Sequence, residues 1–193
     1  MTYLQETENC LAAAIGDGGL QEAAYDALMK DCTKSLTRLK KAHETGSMPL
    51  LRLPGLSGDM EVLEPIAEKY RDQFMDVVVL GMGGSSLGGR AMAALGGHNL
   101  GMDEAAPDNP RLHFMDNPDQ DSFDRLFRAI DPARTGFIVT SKSGSTPETL
   151  AQFLYCFDIF CRTLGDETRA DQFTLITEPT DNPLRRMGTQ QGL

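Results

Sequence analysis

The sequence predicts an α/β protein, a doubly wound parallel sheet with helices on both faces, preceded by an N-terminal helical segment. Three observations carry that prediction. From residue 59 onward, short apolar runs alternate with segments of helical period. The run Val77-Val78-Val79-Leu80 is apolar at every position, as a strand covered on both faces must be. The connections between these segments are short, as right-handed βαβ units require.

The first 48 residues form the helical segment, and residues 49–193 the α/β domain. Leu20, Ala24, Leu28, Cys32, Leu36 and Leu39 draw one apolar stripe along a helix. Gly16-Asp17-Gly18-Gly19 divides the segment into two helices, and Gly46 is a C-terminal stop. Pro49, Pro54, Gly55 and Gly58 then mark a connection. A helix from Met60 to about Arg71 precedes the strand Val77–Leu80. Further strands are expected at 111–115, 136–140 and 173–177, with helices near 86–96, 120–130 and 146–164. Leu150, Phe153, Leu154, Phe157, Cys161 and Leu164 give the last of these helices its apolar face. The strand Val77–Leu80 is expected at the centre, flanked by those ending near Met115 and Thr140. A closing helix at about 182–190 has no strand after it, so the domain is expected to be cut short at its C-terminal end.

Composition narrows the function. The chain has 193 residues, 40 % of them hydrophobic, enough for one sizeable core. Lys and Arg number 18 against 28 Asp and Glu, a net charge of −10, and no basic stripe offsets it. Nucleic-acid binding is therefore not expected. No apolar run approaches a membrane span, and the acidic start Met1–Glu8 is unlike a secretory signal; a cytoplasmic location is expected. Cys10, Cys32, Cys156 and Cys161, with His43, His98 and His113, show no metal-ligand spacing, so no metal site is expected. Cys156 and Cys161 read as packing residues of a helix.

Two loops stand out, because ligands of open parallel sheets bind beyond the carboxyl ends of the strands. The first, Gly81-Met82-Gly83-Gly84-Ser85-Ser86-Leu87-Gly88-Gly89, follows Val77–Leu80. Its glycines permit close backbone approach, and Ser85 and Ser86 stand where a helix should begin. Neither the dinucleotide nor the P-loop template fits it. Ser86 matches a nucleophile elbow formally, through Gly84-Ser85-Ser86-Leu87-Gly88, but no acid and histidine follow at the ends of later strands. The second loop, Ser141-Lys142-Ser143-Gly144-Ser145-Thr146-Pro147-Glu148-Thr149, follows the strand ending at Thr140. Thr146 before Pro147 is an expected N-cap, and Ser145 with Glu148 fits a capping box. Capping leaves Ser141, Lys142 and Ser143 unexplained. Hydroxyls, free amides and one ammonium at a helix N-terminus suit a phosphate.

Together the two loops resemble the sugar isomerase (SIS) domain, a flavodoxin-like α/β fold. More narrowly, they resemble the N-terminal part of the bacterial glucose-6-phosphate isomerases, with patterns G-I-G-G-S-x-L-G and S-K-[ST]-x-[ST]-T-x-E-T. Met82 replaces Ile, Ser145 stands where Thr is frequent, and Gly89 where Pro is frequent. The resemblance runs from about Met60 to Leu193 and includes Leu175-Ile176-Thr177-Glu178-Pro179. It implies interconversion of glucose 6-phosphate and fructose 6-phosphate, in glycolysis and gluconeogenesis, with no metal or organic cofactor. It assigns the sugar phosphate to Ser85, Ser141, Lys142, Ser143 and Thr146, and the amides of Gly84, Ser86, Gly144 and Ser145 complete the expected cradle. The family's proton-transfer residues match nothing before Leu193. No catalytic residue is expected in this chain, which alone should be inactive, and Glu148 reads as a capping acid. A homodimer is expected of the full-length protein. The same loops would also suit another SIS enzyme, an aminotransferase or a transaldolase–isomerase fusion, or a non-catalytic sugar-phosphate sensor.

Overall fold

The computed structural model describes residues 4–98, 109–165 and 170–193. The chain divides into two compact units, the first ending at Glu61 and the second beginning at Val62.

The first unit is helical. A short helix α1 (Ala12–Ile15) and a long helix α2 (Glu22–Thr45) are separated by a turn over Gly16–Gly18, as the glycine cluster predicts. Helix α2 ends at Gly46 in the left-handed region, φ 70°. Arg52 reaches back to close its last turn, donating from Nε to the His43 carbonyl at 2.8 Å. None of the described residues of this unit is buried within it, and Leu28, Leu36 and Leu39 of the stripe are exposed.

The second unit is the predicted sheet. Its strands β1 (Asp76–Leu80), β2 (Arg111–Met115), β3 (Thr135–Thr140) and β4 (Phe173–Ile176) are all parallel, in the order β2-β1-β3-β4. β1 lies between β2 and β3, as its apolar character requires. Helices α3 (Met60–Gln73), α4 (Gly84–Leu95), α5 (Gln120–Ala129), α6 (Pro147–Leu164) and α7 (Pro183–Gln191) surround it.

Strand alternation sorts the core into two layers. Val78, Leu80, Phe137 and Val139 face one way and pack with Phe123 and Leu126 of α5, Phe153, Cys156 and Phe160 of α6, and Leu184 of α7. The rings of Phe137 and Phe173 stack at 4.6 Å across β3 and β4, and Phe160 meets Phe137 edge-on at 4.7 Å. Val77, Leu112 and Ile138 face the other way, towards Tyr70 and Phe74. A side chain at Gly136 would collide with the Phe74 ring, so glycine in β3 lets α3 pack directly on the strand. The Tyr70 hydroxyl donates to the Phe137 carbonyl at 2.8 Å and lies 2.8 Å from Thr174 Oγ1. Burial pushes its phenol pKa up, and the Thr174 bond opposes that shift.

At the N-terminal ends of the strands, Asp76 is 1 % exposed and meets Arg111 through two bonds of 2.8 and 2.7 Å and His113 Nε2 at 2.7 Å. The bond to Asp76 raises the Arg111 pKa further. His113 is thus a satisfied histidine rather than a ligand. Among the described residues no cluster of His, Cys, Asp and Glu could hold a metal ion, and no helix is long and apolar enough to cross a membrane. Burial pushes the Cys156 thiol pKa up, which fits the packing role read from the sequence.

Candidate functional site

Both loops lie at the carboxyl end of the sheet, side by side. β1 and β3 are neighbours, with Leu80 paired to Val139, so the chain leaves both strands at the same level. A Cβ at Gly81 would stand 3.0 Å from the Ser85 carbonyl and 3.2 Å from the Thr140 carbonyl. A side chain there would crowd both carbonyls, so glycine suits the point where the first loop passes the end of β3.

The first loop turns at Gly83, φ 51°, directly into α4. Ser85 and Ser86 occupy the first turn, and their amides donate to the Met82 and Gly83 carbonyls at 3.0 Å each. Among the described residues, the amides of Gly83 and Gly84 meet no acceptor. They stand at the start of α4, where the first amides of a helix have no acceptor within it. Ser85 is half-buried. Ser86 is fully enclosed and its Oγ has no partner among the described residues. A nucleophile elbow needs an exposed serine on a strained turn, and Ser86 is a buried helical residue, so the formal motif match has no chemistry behind it.

The second loop is held from behind. Ser141 is 1 % exposed; its amide donates to the Ile176 carbonyl at 3.0 Å and its hydroxyl to Thr146 Oγ1 at 3.1 Å. Ser143 Oγ accepts from the Ser145 hydroxyl at 3.0 Å and from the Ser145 amide at 3.3 Å. Gly144 turns with φ 62°, its amide donating to the Ser141 carbonyl and its carbonyl accepting from the Leu184 amide at 2.9 Å. Lys142 is exposed and forms no ion pair among the described residues, while its carbonyl takes bonds from the Glu178 amide and the Thr177 hydroxyl. The amides of Ser143 and Thr146 have no acceptor among the described residues.

The expected capping bonds at the start of α6 do not form. Thr146 does occupy the N-cap position of α6, with Pro147 at the first helical position, but its side chain makes no capping bond. Its hydroxyl is taken by Ser141 instead. Ser145 is likewise engaged with Ser143, so the capping box with Glu148 does not form. Glu148 stands exposed in the first turn, where its charge suits the helix dipole. The hydroxyls are thus linked to one another rather than to the helix, which leaves the helix N-terminus open.

Asn182 was not anticipated by the sequence reading. It is 5 % exposed and caps α7, accepting from the Arg185 amide at 2.9 Å. Its Nδ2 donates to Thr177 Oγ1, to the Glu178 carbonyl and to the Thr180 carbonyl. The signal was present as Asn before Pro, an N-cap and first-turn pair. Its packing against Gly144 is long-range and has no local signature.

The family model for phosphoglucose isomerase matches residues 67–190, nearly the whole second unit. The chain belongs to the phosphoglucose isomerase family. It is 31 % identical over 179 residues to a glucose-6-phosphate isomerase of Carboxydothermus hydrogenoformans, covering 90 % of this chain and 38 % of that protein. It is 33 % identical over 172 residues to a Thermus thermophilus enzyme of the same name, covering 88 % of this chain and 38 % of the relative. Among solved structures, a hypothetical protein of Thermus thermophilus superposes with a TM-score of 0.60 at 29 % identity. That match covers 83 % of this chain and 39 % of the other. A Chlamydia trachomatis glucose-6-phosphate isomerase gives 0.52 at 28 % identity, covering 65 % and 23 %. The chain therefore spans under two fifths of the length of these phosphoglucose isomerase relatives, and both candidate loops fall inside the matched region.

Proposed function

We propose that the two loops form a cradle for the phosphate of a hexose phosphate, in an isomerase interconverting glucose 6-phosphate and fructose 6-phosphate. The observation that carries this reading is the juxtaposition of two open helix N-termini, those of α4 and α6, at the ends of neighbouring strands. Each presents backbone amides without internal acceptors, and the positive ends of both helix dipoles converge with them. Gly84, Ser85, Ser143, Ser145 and Thr146 supply amides and hydroxyls, and Lys142 the compensating ammonium. Ser86, Ser141 and Gly144 act from beneath, as the enclosed layer that fixes those donors. Local donors are what a chain of net charge −10 needs, since its long-range field repels the ligand.

A cradle positions; it does not move protons. Transfer between adjacent carbons needs a base at about 3 Å from the carbon acid and a group that stabilises the enediolate. We assign those groups to the parts of the relatives that this chain does not span, and Glu148 to the helix terminus. A homodimeric, cytoplasmic whole protein acting in glycolysis and gluconeogenesis belongs to the same proposal.

NMR titration with inorganic phosphate and with glucose 6-phosphate tests the cradle. Shifts are expected at residues 83–86 and 141–149, with affinity on the order of millimolar, about −4 kcal/mol. Shifts confined to other surfaces overturn it. A coupled assay for fructose 6-phosphate should show no turnover by the 193-residue chain. Turnover abolished by Glu148→Gln would make Glu148 the base.

A further inference from the structure

Two peptide planes of the second loop are held by the segment that follows β4. The Lys142 carbonyl accepts from the Glu178 amide at 3.1 Å and from the Thr177 hydroxyl at 3.3 Å. The Gly144 carbonyl accepts from the Leu184 amide at 2.9 Å. Both carbonyls therefore point towards residues 177–184. No described peptide bond is cis, and in a planar trans peptide the N–H points opposite to the C=O. The amides that follow, those of Ser143 and Ser145, must then point away from the β4 side. In the order β2-β1-β3-β4 that is the side on which β1 and the first loop lie. The Ser143 amide has no acceptor among the described residues, and the Ser145 amide reaches only the Ser143 hydroxyl, at 3.3 Å. Two donors of the second loop are thus aimed from outside it.

Asn182 braces the segment that does the aiming. It is 5 % exposed and its Oδ1 accepts from the Arg185 amide at 2.9 Å. Its Nδ2 is shared among Thr177 Oγ1 at 3.2 Å, the Glu178 carbonyl at 3.3 Å and the Thr180 carbonyl at 3.0 Å. The bond to Thr177 sets a direction. A side-chain NH₂ only donates, so the Thr177 oxygen must accept from it, and the hydroxyl hydrogen is left for the Lys142 carbonyl. The side chain also lies flat against the loop's own turn, since a Cβ at Gly144 would overlap it. Capping α7 uses only Oδ1, which Ser, Thr or Asp would replace. The Nδ2 bonds are what asparagine adds, and they lead to the second loop.

We propose that Thr177 and Asn182 are positioning residues of the cradle, orienting the Lys142 carbonyl and so aiming the Ser143 amide at the bound phosphate without touching it. This assignment rests on the phosphate reading of the two loops. Coupling of this kind is reciprocal, so bound phosphate should in turn slow hydrogen exchange at the Glu178 amide, on the far side of the same peptide plane.

The test is an NMR titration of the 193-residue chain with inorganic phosphate, run well below the melting temperature of each variant. Thr177→Val keeps the shape and removes the hydroxyl, and should weaken phosphate about tenfold; Thr177→Ser keeps the hydroxyl and should restore it. Asn182→Ser keeps a cap for α7 but loses the Nδ2 donors, and should weaken phosphate to a similar degree. Asp181→Asn, one residue away, disturbs only the exposed pair with Arg186 at 2.7 Å and should leave affinity within twofold of wild type. A merely structural role would lower the melting temperature and leave the affinity of the folded protein unchanged. If Asn182→Ser does not fold, the Thr177 pair decides alone. Wild-type affinity in Thr177→Val, or a Thr177→Ser variant as weak as Thr177→Val, overturns the positioning role and leaves the cradle standing. A wild-type protein without phosphate shifts at residues 83–86 and 141–149 overturns the cradle and this assignment together.

Discussion

The two loops at the carboxyl end of the sheet reach similar exposure by opposite means. The loop after β1 is built from glycine. Its serine amides are closed by its own carbonyls, and Gly81 passes β3 closely because it lacks a side chain. The loop after β3 is built from hydroxyls bonded to one another; Thr177 and Glu178 after β4 and Leu184 in α7 bond its backbone from below, and Asn182 packs against Gly144. One loop owes its shape to what is missing from its side chains, the other to a neighbour 35 residues or more downstream. The second should therefore be the more rigid, and the more sensitive to substitutions outside itself.

The largest effect should come from Gly144→Ala. The residue has φ 62°, and its Cβ would run into the Asn182 side chain. We expect a loss of about 3 kcal/mol, from the left-handed backbone and the overlap together, with loss of phosphate binding, read by urea denaturation and NMR. Near-wild-type stability would show that the bracing yields, and the contrast between the loops would fail. Gly81→Ala should be milder. Its new Cβ meets backbone carbonyls at 3.0 and 3.2 Å without a positive φ, and about 1–2 kcal/mol is expected from crowding. Denaturation showing Gly81→Ala to be the worse of the two would reverse the comparison. Thr146→Ala is expected to be smallest, about 0.5–1 kcal/mol, because one hydroxyl bond to Ser141 is lost and no cap. Recovery in Thr146→Ser, measured by the same melts, would confirm that the hydroxyl rather than the methyl is responsible.

The strands and both loops were legible because each is a local pattern: an unbroken apolar run, a glycine cluster, hydroxyls ahead of a proline. The position of β1 between β2 and β3 followed from its lack of any polar face. Three features were not legible, each for want of a local signature. Thr146 fits an N-cap on sequence, and only the fold shows that Ser141 competes for its hydroxyl. Gly136 looks like a weak point in a strand, until Phe74 is seen to occupy the space a side chain would need. Asp76, at the head of an apolar strand, reads as a boundary residue; its partners Arg111 and His113 arrive across a strand pairing 35 residues away.

The strand order has a consequence for a chain made from its N-terminus. β1 is the first strand to leave the ribosome, yet it gains its first hydrogen-bonding edge only when residues 111–115 emerge. The second follows only with residues 135–140. Until then Val77-Val78-Val79-Leu80, uncharged, β-branched and without proline, has both edges open. Nascent chains from which residue 80 but not yet residue 140 has emerged should be the species that engage chaperones or aggregate, whereas chains with residues 135–140 outside the ribosome have their most apolar strand already enclosed.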